Sequence, residues 1–129
     1  MEIGLFAESA GLPDLERTLE RAAALGTWRI ELATGGQCEQ PFLIKDVTLH
    51  RHNLALVGLL DNRPDVSFRE RPWNFCTPGF GHDAGRWREF VVALNDVGYD
   101  DVASIENEEP YLPGFAGVER TVALLREVL

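Results

Sequence analysis

Gly98-Tyr-Asp-Asp-Val-Ala-Ser-Ile-Glu-Asn-Glu-Glu-Pro110 runs from a helix stop through a short apolar strand into three carboxylates. An α/β protein carries its chemistry at the carboxyl ends of its strands. Acidic side chains placed there bind a cation or polarise a hydroxylated substrate, because their burial requires one or the other. Glu106, Glu108 and Glu109 are therefore the first candidates for a site.

Around that stretch, Trp87, Phe90, Val91, Leu94 and Val97 form an amphipathic helical stripe ended by Gly98. Phe115, Val118, Val122, Leu125 and Leu129 mark a final helix beyond the strand Val102–Glu106. The opening of the chain has the same pattern. Ile3–Ala7 is a short apolar strand, Gly11-Leu-Pro13 breaks the chain, and Leu15, Leu19, Ala22 and Ala23 lie at helical spacing before Gly26. Trp28–Ala33 is a second strand with Glu31 inside it, ended by Thr34-Gly-Gly36, so the start reads as β-α-β with a parallel pair. Ala24-Leu-Gly26 before Trp28–Ala33 and Asp96-Val-Gly98 before Val102–Ile105 repeat one helix, glycine and strand phrase.

Between these halves, Phe42-Leu-Ile44 and Val47–Leu49 read as extended and Asn53–Leu60 as a short helix. Arg63–Phe80, with Pro64, Pro72, Pro78 and Gly79, reads as a long irregular excursion. A parallel connection normally takes a crossover of about a dozen residues or more, and Thr34–Pro41 is shorter and lacks helical pattern. The expectation is that Phe42–Leu49 pairs antiparallel with Trp28–Ala33 or stays irregular, and does not run parallel beside Val102–Glu106.

The 129 residues make one domain, 1–129, and the 45% apolar and 26% charged composition is that of a chain with a packed core. A formal charge of −9 repels phosphate backbones and anionic lipid, which argues against nucleic acid or a membrane surface as partner. No apolar run approaches the roughly 20 residues of a membrane span. Met1-Glu2 leads directly into a strand without a basic leader, so the expected location is cytoplasmic. Cys38 and Cys76, far apart and outside any C-x-x-C pattern, then read as two free thiols with no local base to activate them.

The run Trp73-Asn-Phe-Cys-Thr-Pro-Gly-Phe-Gly-His-Asp83, then Trp87-Arg-Glu-Phe90, then Gly98 to Pro110 resembles the end of the sugar phosphate isomerase/epimerase family, the xylose-isomerase-like TIM barrels. Ile3–Phe6, Leu15-Glu-Arg-Thr-Leu19 and Ile30-Glu-Leu-Ala-Thr-Gly-Gly36 are similar to that family's first strand, first helix and second strand. Lys45-Asp46, Arg51-His-Asn-Leu-Ala-Leu56 and Gly58-Leu-Leu-Asp61 resemble the segment after its seventh strand. Residues 1–36 thus resemble the barrel start and 42–129 the barrel end, with the junction near Gln37–Pro41.

A full barrel takes roughly 250 residues, so the resemblance implies a shortened form that lacks strands three to six. The implied fold class is α/β: a partial, half TIM-barrel-like parallel sheet of about four strands, in the order seven, eight, one, two, with three main helices and the excursion. The implied activity is that of a divalent-metal-dependent isomerase or epimerase acting on a small polyhydroxylated substrate, impaired or inactive as a single chain. A non-catalytic binding or assembly subunit is the alternative. Of the family's metal ligands, Glu106 matches the acid on the eighth strand, while Leu43 occupies the position of the seventh-strand histidine. Cys76 and Asn107 stand where the family commonly has arginine and histidine. No cofactor is therefore expected in the single chain, and Mn, Mg, Co or Zn only if a partner completes the site.

The candidate site residues are Glu106, as catalytic group and metal ligand, with Glu31, Trp73, His82 and Glu108 as substrate contacts. Each has a plainer reading. Glu106 can be a strand-end carboxylate facing water, and Glu108 and Glu109 a solvated charged loop. Glu31 either lines the barrel mouth or pairs with a cation on its rim. His82, flanked by Gly79, Gly81 and Asp83, contacts a ligand or merely precedes a helix capped by Asp83. Trp73 and Phe75 stack on a sugar or pin the excursion. His50 and His52 read as a surface pair. Gly35-Gly36, without a Walker pattern or a closing lysine, is no phosphate loop. A half-barrel leaves two open sheet edges, so the expected state is a homo-oligomer, most simply a dimer.

Overall fold

The computed structural model describes residues 1–6, 14–27, 29–31, 42–61, 63, 65–112 and 114–129, with the backbone alone at 6, 15, 30, 31, 42 and 43. In chain order its elements are β1 (Glu2–Phe6), α1 (Leu15–Ala24), β2 (Arg29–Glu31), β3 (Phe42–Ile44), β4 (Asp46–Leu49), α2 (Arg51–Val57), β5 (Trp73–Cys76), α3 (Ala84–Asp96), β6 (Val102–Ile105) and α4 (Phe115–Val128). The chain is a mixed α/β protein. The Gly11-Leu-Pro13 break, Trp28, Leu32, Ala33, Gly35-Gly36, Cys38 and the Gln37–Pro41 junction lie outside the described residues. Among the described residues no helix is long and apolar enough to cross a membrane.

Local sequence accounts for the helices. Asp14 and Asp83 cap α1 and α3, their carboxylates accepting the N–H groups of Arg17 at 2.8 Å and Arg86 at 3.0 Å. Gly26 and Gly98, at φ of +67° and +78°, take the left-handed turns that end those helices. Trp87, Val91 and Leu94 of α3 and Phe115, Val118, Val122 and Leu125 of α4 are buried, as their spacing implies. Three residues of the expected stripes face outward instead: Leu19 of α1, 44% exposed, Val97 at the end of α3, and Leu129.

A four-stranded parallel sheet in the order β2-β1-β6-β3 carries the core. Leu5, Ile105 and Ile44 form one row across β1, β6 and β3 and pack, with Ala103, against Val91, Val118, Val122 and Leu125 of the helices. Burial of each such aliphatic side chain contributes about 1.5–3 kcal/mol. Strand alternation turns Gly4, Ser104 and the residue after β6, Glu106, to the other face. That face is polar at its edge, where Arg29 pairs with Glu2 at 2.6 Å.

Placement of β3 overturns the expectation for Phe42–Leu49. β3 runs parallel beside β6, with Leu43 opposite Ser104 and Ile44 opposite Ile105, and Glu106 N–H extends the ladder to the Ile44 carbonyl. The crossover argument, which covered adjacent and distant strands alike, fails here: β2 and β3 occupy opposite edges of the sheet, and the residues between Glu31 and Phe42 suffice to join them. Three strand spacings are about 14 Å, and ten residues of chain span up to about 35 Å.

The excursion also differs from expectation. Its last part, Trp73–Cys76, is a strand that pairs antiparallel with β4, Asp46 opposite Cys76 and Leu49 opposite Trp73. Asn74 and Cys76 alternate inward while Trp73 and Phe75 lie half-buried. The helix expected over Asn53–Leu60 begins two residues earlier and stops at Gly58, whose φ of +76° ends it and leaves Leu59 and Leu60 exposed.

Candidate functional site

At the carboxyl ends of β3 and β6, adjacent in the sheet, Lys45 and Glu106 project from the polar face. Lys45 Nζ lies 2.9 Å from Glu106 Oε1 and 2.7 Å from Glu108 Oε2, and 4.4 Å over the ring of Phe75. Lys45 is the single lysine of the chain; every other cationic side chain apart from histidine is arginine. Partial burial works against the charged ammonium, but the hydrogen bonds to Glu108 and Glu106 and their charges outweigh it, and the Lys45 pKa is raised. The group therefore acts as a fixed cation and hydrogen-bond donor, and does not serve as a base near neutral pH. Glu106 is 15% exposed and Glu108 49%, so the trio faces a wetted rim.

The next residue, Asp46, has the opposite surroundings. It is 2% exposed. Its Oδ2 accepts the N–H groups of Gly79 at 3.1 Å, Gly81 at 3.2 Å and His82 at 2.9 Å, while Oδ1 accepts Val47 N–H at 2.8 Å and lies 2.6 Å from His82 Nδ1. Burial alone would raise the carboxyl pKa, but the His82 ring and the backbone donors reverse the sign and hold it below the usual carboxylate range. Gly81 has to be glycine, since a Cβ there would run into the Val47 carbonyl and Asp46 Oδ1. An imidazole held at one nitrogen by a buried carboxylate is the arrangement that shuttles protons in acid–base catalysis. A cavity of about 300 Å3 opens beside it, walled by Ile44, Val47, Trp87 and Phe90.

Glu109 corrects the expectation of a solvated loop. It is 5% exposed, and its carboxylate accepts Thr77 N–H at 3.0 Å and Tyr111 N–H at 2.9 Å, tying the end of β5 to the segment after β6. Asn107 does the same from the other side: its Oδ1 accepts the Thr77 hydroxyl at 3.2 Å, its Nδ2 donates to the Gly114 carbonyl at 3.3 Å, and Gly117 of α4 leaves room for it. A second cavity, of about 550 Å3, lies against this segment between His50, Asn74 and Phe75 on one side and Tyr111 and Arg120 on the other.

Of the residues expected from sequence, Glu106 and Glu108 come together on Lys45, and His82 lies on the neighbouring Asp46. Trp73 is apart from them, its indole N–H donating to the Leu59 carbonyl at 3.2 Å and its ring edge-on to Phe75. Glu31 ends β2, with Cα in register with Phe6 of β1. His50 Nε2 lies 3.4 Å from Asn74 Nδ2, and His52 is exposed on α2. Cys76 is buried, and burial followed by the charges of Asp46 and Glu109 pushes its thiol up to about 12, which keeps it protonated and unreactive. Among the described residues no three His, Cys, Asp or Glu side chains converge as metal ligands do. Sequence reasoning named neither Lys45 nor Asp46 as a site residue. The available signal was a lysine–aspartate pair directly after an apolar strand.

The chain is 31% identical over 85 residues to a Bacillus subtilis (strain 168) protein described as "Uncharacterized protein YfiH". The match covers 66% of this chain and 27% of that protein, so this chain corresponds to only a minor part of its relative. No family model matches the chain, and no solved structure matches it.

Proposed function

We propose that the chain is a shortened relative of the sugar phosphate isomerases and epimerases, built as half of a TIM-like barrel, that holds a small polyhydroxylated ligand at the carboxyl ends of its parallel strands. The strand order β3-β6-β1-β2 supports the half-barrel part, because it is the order that seventh, eighth, first and second barrel strands would have. The observation that carries the site is the Lys45–Glu106–Glu108 trio. Vicinal hydroxyls need closely spaced donors and acceptors, and here one ammonium stands between two carboxylates at 2.9 and 2.7 Å. His82, oriented by Asp46, is the group in this neighbourhood suited to moving a proton.

The parent chemistry is metal-assisted movement of a proton or hydride beside a sugar carbonyl. The residues of this chain do not fit a divalent ion: Glu106 is the one donor of the expected set, Leu43 offers no lone pair, and Lys45 brings a positive charge to within 2.9 Å of Glu106. One chain is accordingly impaired or inactive, and Mn, Mg, Co or Zn would bind only where a partner chain adds ligands. Calorimetric titration with a panel of aldoses, ketoses and their phosphates tests the reading. Binding that is lost in Glu106→Gln supports it, and no binding at millimolar ligand sinks it.

The second reading, a non-catalytic binding or assembly subunit, is favoured by the raised pKa of Lys45, which keeps an internal cation between the carboxylates. Elemental analysis discriminates. About one tightly held metal ion per chain, lost in Glu106→Gln, would remove the second reading.

A further inference from the structure

We infer that two copies of the chain close edge to edge around a two-fold axis parallel to the strands, β2 of each beside β3 of the other, so that both Lys45–Glu106–Glu108 trios open into one mouth. This rests on the half-barrel part of the proposed function, and not on its sugar chemistry. β2 and β3 are the two edges of the parallel sheet, and among the described residues neither has a second neighbour. All four strands point the same way, so an axis along them is the two-fold operation that pairs each edge with the other in parallel. Four strands from each copy make the eight of a closed parallel barrel, which has no edges.

The helices supply independent complementarity. Arg21 of α1 pairs with Glu119 at 2.9 Å and lies over Phe115, so that side of α1 faces α4. At 100° per residue Glu16, Leu19 and Ala23 fall on the opposite side, toward the β2 edge. Arg88 of α3 pairs with Glu127 of α4, and the same rotation puts Arg86 and Phe90 on the side away from α4, toward the β3 edge. There the 300 Å3 cavity beside His82 lies, walled by Ile44, Val47, Trp87 and Phe90, with Lys45, Asp46, His82 and Arg86 as its polar lining. Closure sets α1 of one copy beside α3 of the other: an exposed leucine faces the mainly apolar cavity beside His82, and Glu16 faces Arg86, which pairs with Glu89 of its own helix at 2.7 Å and can share that charge across the junction. Aligned edges and matched helix sides at the same junction favour a second copy of this chain over an unrelated partner.

Because Lys45 is the single lysine, a short amine-to-amine crosslinker reads the shared mouth directly. Sedimentation from micromolar to hundreds of micromolar protein is expected to show a dimer. Crosslinking should join Lys45 to Lys45 of the second copy, identified by peptide mass spectrometry and absent in Lys45→Arg. Leu19→Arg, at an exposed helical position, should weaken the dimer about tenfold or more. A monomer throughout that range, a dimer with no Lys45–Lys45 link, or a dimer unaffected by Leu19→Arg would each overturn the inference. A linked dimer with no affinity for polyols supports it and removes the sugar reading, and a monomer that binds polyols does the reverse.

Discussion

Lys45 and Asp46 are neighbours in the chain, yet each holds its charge by a different means. Lys45 is balanced by two side chains, Glu106 and Glu108, on a half-open rim. Asp46 is held by four backbone N–H groups and one ring, with almost no water. Side-chain partners can swing aside for a ligand; backbone donors cannot. The first arrangement is adaptable and contributes little stability, while the second is rigid and costs much to disturb. A rigid group positioning His82, one residue from a replaceable one, is a division between scaffold and site.

The comparison breaks most visibly at Asp46. Asp46→Ala leaves several buried donors without an acceptor and should lower stability by about 3 kcal/mol in chemical denaturation, whereas a loss under about 1 kcal/mol would show the nest to be dispensable. Gly81→Ala, which forces a methyl into the same nest against backbone that has no room to give, should cost about 2 kcal/mol. Acid titration sharpens the contrast. A carboxyl whose folded pKa is lowered contributes stability above its ordinary value, so stability should fall progressively as pH drops below about 4 and on through the lower folded value. In Asp46→Asn that part of the acid dependence should be missing. Lys45→Gln is the counterpart and should change stability by less than about 1 kcal/mol, because Glu108 is half in water and Lys45 is itself partly exposed. The smallest effect is kinetic: Cys76, packed opposite Asp46, should resist a thiol reagent at neutral pH in the folded protein and react only on unfolding.

The parts of the structure legible in the sequence are those whose signals are local. The helical stripes of α3 and α4, the cap Asp83 and the glycine stops depend on neighbours a few residues away. The parallel β1–β2 pair comes from a β-α-β phrase of that kind, and β6 from its short apolar run. The position of β3 and the pairing of β4 with β5 depend on partners 24 to 61 residues distant, where spacing carries no information about order. At the site, carboxylates at a strand end were legible because their position is chemically conspicuous. The burial of Glu109 and Asp46 was not, because it arises from backbone N–H groups at residues 77 to 82 and 111, which any sequence supplies.

The central pair of the sheet joins Glu2 to Val102 and Leu5 to Ile105, strands made at opposite times in synthesis. Closing so long a loop costs about 4 kcal/mol of chain entropy before any contact across it forms. While β6 is still inside the ribosome, β1 has β2 alone to pair with, and the row that will hold Leu5 lacks the residue that covers it. The sheet is thus completed late, when β6 arrives and joins the β1–β2 pair to β3. Such late, long-range pairing makes for folding in milliseconds to seconds, and it exposes the incomplete chain to whatever else in the cell can bind a bare strand edge.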